Sequence, residues 1–68
     1  MRKFYIEAKV KIKVESISGL WEPTVVYIVN ALNLDLAKAK FEAQVRADHA
    51  HMNAQMFVFE YIKIGPEI

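Results

Sequence analysis

The sequence predicts an α+β domain: a three-stranded antiparallel sheet in β-β-α-β order, strand order 2-1-3, with one helix packed on one face. Three observations carry that prediction. Residues alternate apolar and polar from Phe4 to Val14, apolar residues recur at helical spacing between Leu32 and Met52, and β-rich segments flank that helix on both sides.

Phe4, Ile6, Ala8, Val10, Ile12 and Val14 occupy the even positions, and Tyr5, Glu7, Lys9, Lys11, Lys13 and Glu15 the odd ones. Period two over this length predicts a half-buried strand, long enough to be central. Ser16 to Pro23 reads as a loop, punctuated by Ser, Gly and Pro. Thr24 to Asn30 (TVVYIVN) is β-branched and aromatic, hence a second strand antiparallel to the first. Asn33 is placed to cap a helix beginning at Leu34, with Asp35 in the first turn, where the helix dipole favours an anion. Leu34, Ala37, Phe41, Val45 and Met52 form the expected core stripe, and the helix should end near His51 to Asn53. Gln55 to Ile64 is the third strand, closed by Gly65 and Pro66. With the first two strands in a hairpin, the third most simply joins the free side of the first.

The 68 residues make one domain, 1–68, with a formal charge of +1 and no cysteine. Disulfides and thiolate metal sites are therefore excluded. A near-neutral balance gives no general attraction to nucleic acid or membrane. No apolar run reaches the ~18 residues of a membrane span, and the N-terminus is broken by charges, unlike a signal peptide. The expectation is a soluble protein of the cytosol in which it is made. Apolar residues are 54% of the chain, more than one helix over one small sheet readily hides, which points to association with a partner or a second copy.

Catalytic chemistry is sparsely provided. Ser16 and Ser18 lie in a loop with neither histidine near in sequence, and turn formation accounts for them. His49 and His51 point apart on a helix and read as solvated helix-end residues. Gly19 and Gly65 are the only glycines, so no phosphate-cradling loop exists. No catalytic, metal or cofactor residues are assigned, and a non-enzymatic role is expected.

Surface residues carry more information. The odd face of the first strand should lie away from the helix. In the third strand, Met56, Val58, Ile62 and Ile64 with Glu60 form one set, and Phe57, Phe59 and Tyr61 with Lys63 the other. The aliphatic set is expected inward, with Glu60 reaching water at the rim, and the aromatic and lysine set outward. Rings and lysines on an open sheet suit either a protein partner or stacked bases with their phosphates. The charge balance favours protein. Trp21 reads equally as an interface anchor or as a cap on the end of the core. Leu36, Ala39, Ala43, Ala47 and Ala50 form a small-residue stripe on the far side of the helix, and alanine's helix propensity explains it.

Val26-Tyr27-Ile28 followed by Asn33-Leu34-Asp35-Leu36-Ala37, then Ile62-Lys63-Ile64-Gly65-Pro66, resembles the T7-type phage inhibitor of bacterial RNA polymerase. The resemblance covers most of the chain as topology and a few residues as sequence. It implies a small inhibitor that binds polymerase through basic residues on the last strand and an acidic residue near the hairpin. Lys63 matches the first and Glu22 corresponds loosely to the second, while a second basic residue is missing. The expected function is thus a phage-like binding protein that docks on a host complex and occludes it, in the host bacterial cytosol. An inhibitor of a host defence complex, of anti-CRISPR type, and a single-stranded nucleic-acid binding module are the alternatives, and homodimerisation is a further expectation. The expected contact residues are Trp21, Tyr27, Phe57, Phe59, Tyr61 and Lys63, with Lys9, Lys11 and Lys13 as steering charges.

Overall fold

The computed structural model describes residues 1–15 and 18–66. Its elements are β1 (Arg2–Val14), β2 (Leu20–Trp21), β3 (Thr24–Ala31), α1 (Leu34–Asp48), a 3₁₀ turn (Ala50–Met52) and β4 (Ala54–Pro66). The alternation in β1 is realised directly. Phe4, Ile6, Ala8, Val10, Ile12 and Val14 are all buried beneath the helix, and the odd residues face away. β1 is the central strand. It pairs antiparallel with β3 along Arg2–Lys9 and with β2 at Ile12 and Lys13 on one side, and with β4 along Phe4–Val14 on the other. The α+β class and the central first strand therefore stand as expected.

The segment read as a loop contains β2, in which Leu20 opposes Lys13 and Trp21 opposes Ile12. Gly19 turns the chain into it at φ 93°, in the left-handed region open to glycine at little cost. The Val10 N–H donates to the Pro23 carbonyl at 2.9 Å where β2 gives way to β3. Ser16 lies outside the described residues; Ser18 is exposed in a bend.

Asn33 caps α1 as its sequence position implies. Its side-chain oxygen accepts from the Leu36 N–H at 2.9 Å, satisfying one of the orphan donors of the first turn. Ala37, Phe41 and Val45 are the residues the helix buries. Leu34 does not join them: it is 39% exposed, and Ala31, the last residue of β3, is buried in the core. The α-helix ends at Asp48, earlier than the periodicity suggests, because the chain tightens into the 3₁₀ turn. That turn keeps Met52 packed against the core. Asn53 then adopts φ 53°, which asparagine tolerates better than most residues, and the chain enters β4.

From Met56 to Ile62 the facing of β4 is the reverse of the sequence expectation, while Lys63 and Ile64 face as expected. Phe57, Phe59 and Tyr61 lie opposite the buried Ile12, Val10 and Ala8, so the aromatic set points under the helix. Met56, Val58 and Ile62 are exposed, and Glu60 stands with them in the open. A bulge explains why strict alternation misleads. The register shifts between Glu7/Ala8 and places Ile62 as an extra residue, so that Ile64 returns to the inner face opposite Ile6 while Lys63 opposes Glu7 on the outer one. With one phase throughout, either Glu60 or Lys63 would have been turned toward the core, at a desolvation cost. Among the described residues no polar or charged residue is buried.

Phe41 is the hub of the inner layer. Its ring lies 5.9 Å from Tyr27, 6.2 Å from Phe59 and 6.0 Å from Tyr61, in edge-to-face and tilted arrangements. Phe41→Ala should therefore cost about 3–5 kcal/mol, a large share of the stability of so small a domain. Asn33→Ala should cost about 1 kcal/mol through the lost cap. Urea titrations followed by circular dichroism would measure both. A Phe41→Ala loss no larger than that of Asn33→Ala would show that Phe41 is not the hub.

Candidate protein-binding surface

The sheet has one covered and one open face. Lys3, Tyr5, Glu7, Lys9, Lys11 and Lys13 run down the centre of the open face, because β1 alternates. β3 contributes Val26 opposite Glu7 and Ile28 opposite Tyr5. β4 contributes Met56 opposite Lys13 and Val58 opposite Lys11. Val26 and Ile28 are 46% and 53% exposed. The result is a charged central row flanked by two aliphatic patches at diagonal corners.

The charges on this face are partly paired. Lys9 meets Glu22 at 3.6 Å and Lys11 meets Glu60 at 3.3 Å, both exposed enough to contribute little to stability. Lys3, Lys13 and Lys63 have no ion-pair partner among the described residues. Tyr5 donates to Glu7 at 3.1 Å, and Lys63 stands 5.6 Å from the Tyr5 ring centroid. Burial, and then the neighbouring Glu7 carboxylate, raise the Tyr5 phenol above its ordinary value. Lys9, Lys11, Lys13 and Lys63 thus lie together on the open face, as the sequence implies.

The aromatic residues expected beside them do not. Phe57, Phe59 and Tyr61 are half-buried on the helix side, and Tyr27 lies there too, against Phe41. The helix packs nearer β3 and β1 than β4, and long side chains cover the remaining strip. Arg46 lies 5.9 Å and 5.2 Å from the ring centroids of Phe57 and Phe59, and Lys38 lies 5.3 Å from that of Tyr61. Tyr61 donates to Glu42, and Tyr27 donates to Asp48, so both phenols reach the rim with partners. Burial, followed by the Glu42 hydrogen bond, pushes the Tyr61 phenol far above its usual range. Trp21, on the inner side of β2, meets the His49 ring edge-on at 5.4 Å, and His49 in turn lies 6.3 Å from Phe57. Trp21 therefore closes one end of the core while remaining 42% exposed.

His49 is more than a solvated helix end. It follows the last helical residue, its Nδ1 lies 2.7 Å from the Val45 carbonyl oxygen, and its ring makes edge-to-face contacts with Trp21 and Phe57. His51 is exposed, as expected. Among the described residues no three His, Asp or Glu side chains gather as a metal site would require, and no helix is long and apolar enough to cross a membrane. Val26, Ile28, Met56 and Val58 were not among the contact residues drawn from the sequence. The signal for the first two was available: they alternate with Val25, Tyr27 and Val29 in a strand apolar on both faces.

The Tyr27–Asp48 contact makes an acid-side prediction. The Tyr27 hydrogen bond, supported by Gln44, holds the Asp48 carboxyl below its usual value of 3.8. Its stabilising effect is complete above that usual value and disappears as the pH falls through the depressed one. Tyr27→Phe should therefore flatten the loss of stability on acidification below about pH 4. Denaturant midpoints measured across that range would show it, and a variant with an unchanged acid limb would count against the contact. Compared with protein-family models, curated proteins and solved structures, the chain finds no match in any of the three.

Proposed function

We propose that this chain is a non-enzymatic binding domain that docks its open sheet face on another protein and works by occlusion. One observation carries the reading: the face opposite the helix combines exposed Val26, Ile28, Met56 and Val58 with a row of lysines. Apolar patches interrupted by charge suit a protein surface better than water alone. The molecule is 39 Å long, and three strands span about 15 Å. The face therefore offers on the order of 600 Å², approaching the ~800 Å² each partner contributes to a standard interface. Its positive excess suits an acidic partner surface and speeds encounter.

The nucleic-acid alternative is less well supported, since Phe57, Phe59 and Tyr61 lie beneath the helix and, among the described residues, only Tyr5 offers a ring to the open face. The resemblance to the phage polymerase inhibitor makes bacterial RNA polymerase the first target to test, with host defence complexes the next.

Ile28→Asp should weaken partner binding at least about tenfold by placing a charge in the aliphatic patch. Lys11→Glu with Lys13→Glu should chiefly slow association and reverse its salt dependence. Both are measured by surface-immobilised binding and by transcription with purified bacterial RNA polymerase. Full transcription in the presence of excess protein rejects polymerase as the target. Retention of no protein from bacterial lysate rejects docking altogether.

A further inference from the structure

β4 is a thirteen-residue edge strand. The hydrogen bonds formed outside the helix and the sheet ladders involve the β2–β3 junction, the helix ends and side chains, and none reaches the β4 backbone among the described residues. The opposite edge is better guarded. Pro23 precedes β3 and lacks an N–H, the helix packs against the strand, and Lys40 Nζ donates to the Asn30 carbonyl at 2.6 Å. On β4 a bulge at Gln55 guards the start of the strand, and Glu60, the bulge at Ile62, Lys63 and Pro66 guard its second half. Between the two bulges, Met56 to Phe59 is in regular register with β1 and has no charge, proline or glycine, and strands of that composition pair readily with another strand.

We infer that the bare edge of β4 is where two copies of this chain join, antiparallel about a two-fold axis at Phe59, into one sheet whose long strands run β3-β1-β4-β4-β1-β3. Three features favour a second copy over a foreign strand. First, reading β4 backwards about Phe59 sets Phe57 opposite Tyr61 of the second copy and Phe59 opposite itself. Rings that the helix leaves half-covered would then cover one another. Second, Arg46 lies over Phe57 and Phe59 and pairs with Glu42 of its own helix at 3.7 Å, while Glu42 also binds Tyr61. The two-fold axis therefore brings Arg46 beside Glu42 of the second copy, twice. An axis at Val58 would instead set Arg46 against Arg46. Third, the contact leaves the open face free and doubles its extent, so the inference does not depend on what that face binds.

The register makes a charge-specific test. In one copy Val58 lies opposite Lys11 of β1, and across the axis it lies opposite Glu60 of the second copy. Val58→Glu should fold, with Lys11 beside the new carboxylate, yet weaken the dimer about tenfold or more through two like-charge contacts. Val58→Lys should hold the dimer within about threefold of the unaltered chain, because it meets Glu60 instead. Sedimentation of the full chain from about 1 μM to about 1 mM reads both, with circular dichroism confirming the fold. In the unaltered chain, amide exchange at residues 55–61 should slow as the dimer fills. A chain that stays monomeric throughout, equal effects of the two substitutions, or exchange at residues 55–61 that ignores concentration overturns the inference.

Discussion

Every part of this molecule depends on one constraint: a single strand buries an apolar side chain at every second position beneath one helix. The inner row of β1 runs the length of the sheet, and Phe41, Ala37 and Val45 press on it from above. Burial of this kind is the dominant favourable term in folding, and here it is concentrated in two elements. β3 and β4 then act as flanks. They supply half-buried residues that complete the layer without being sealed by it. The small Ala8, opposite Tyr61, lies in the part of the inner layer where the phenol ring packs with Phe41.

This arrangement explains what was legible in the chain and what was not. β1 could be read because its polar positions are charged, so only one facing is tolerable. Asn33 could be read because the capping geometry is local and needs nothing from the rest of the fold. β4 could not be read by alternation, because both of its faces are apolar and neither announces itself. The decisive residues were Glu60 and Lys63. They are three apart, so no regular strand exposes both, and their joint exposure requires the extra residue found at Ile62. The open face followed the same pattern. The lysines lie on the open face, as their charge predicts, while the rings expected beside them lie under the helix.

The two sides of the sheet consequently carry different chemistry. The covered side holds phenols and cations at its rim, each engaged by a neighbour: Tyr27 by Asp48, Tyr61 by Glu42, Arg46 by two rings. Such contacts fix the position of the helix over the sheet. The open side keeps aliphatic residues and several cations without ion-pair partners among the described residues. In a domain with so little interior, exposed branched side chains have a cost in solubility, and the binding role proposed above would give that cost a reason.

The edge-to-face Trp21–His49–Phe57 cluster has a consequence for watching this protein fold. Trp21 is the chain's sole indole, and it senses the meeting of β2, the end of the helix and the start of β4. Its emission would time the docking of that one corner, whereas far-ultraviolet ellipticity would time the strands and helix as a whole. The two signals coincide only if the domain closes in a single cooperative step; a lag between them would mark the corner as a late-locking latch.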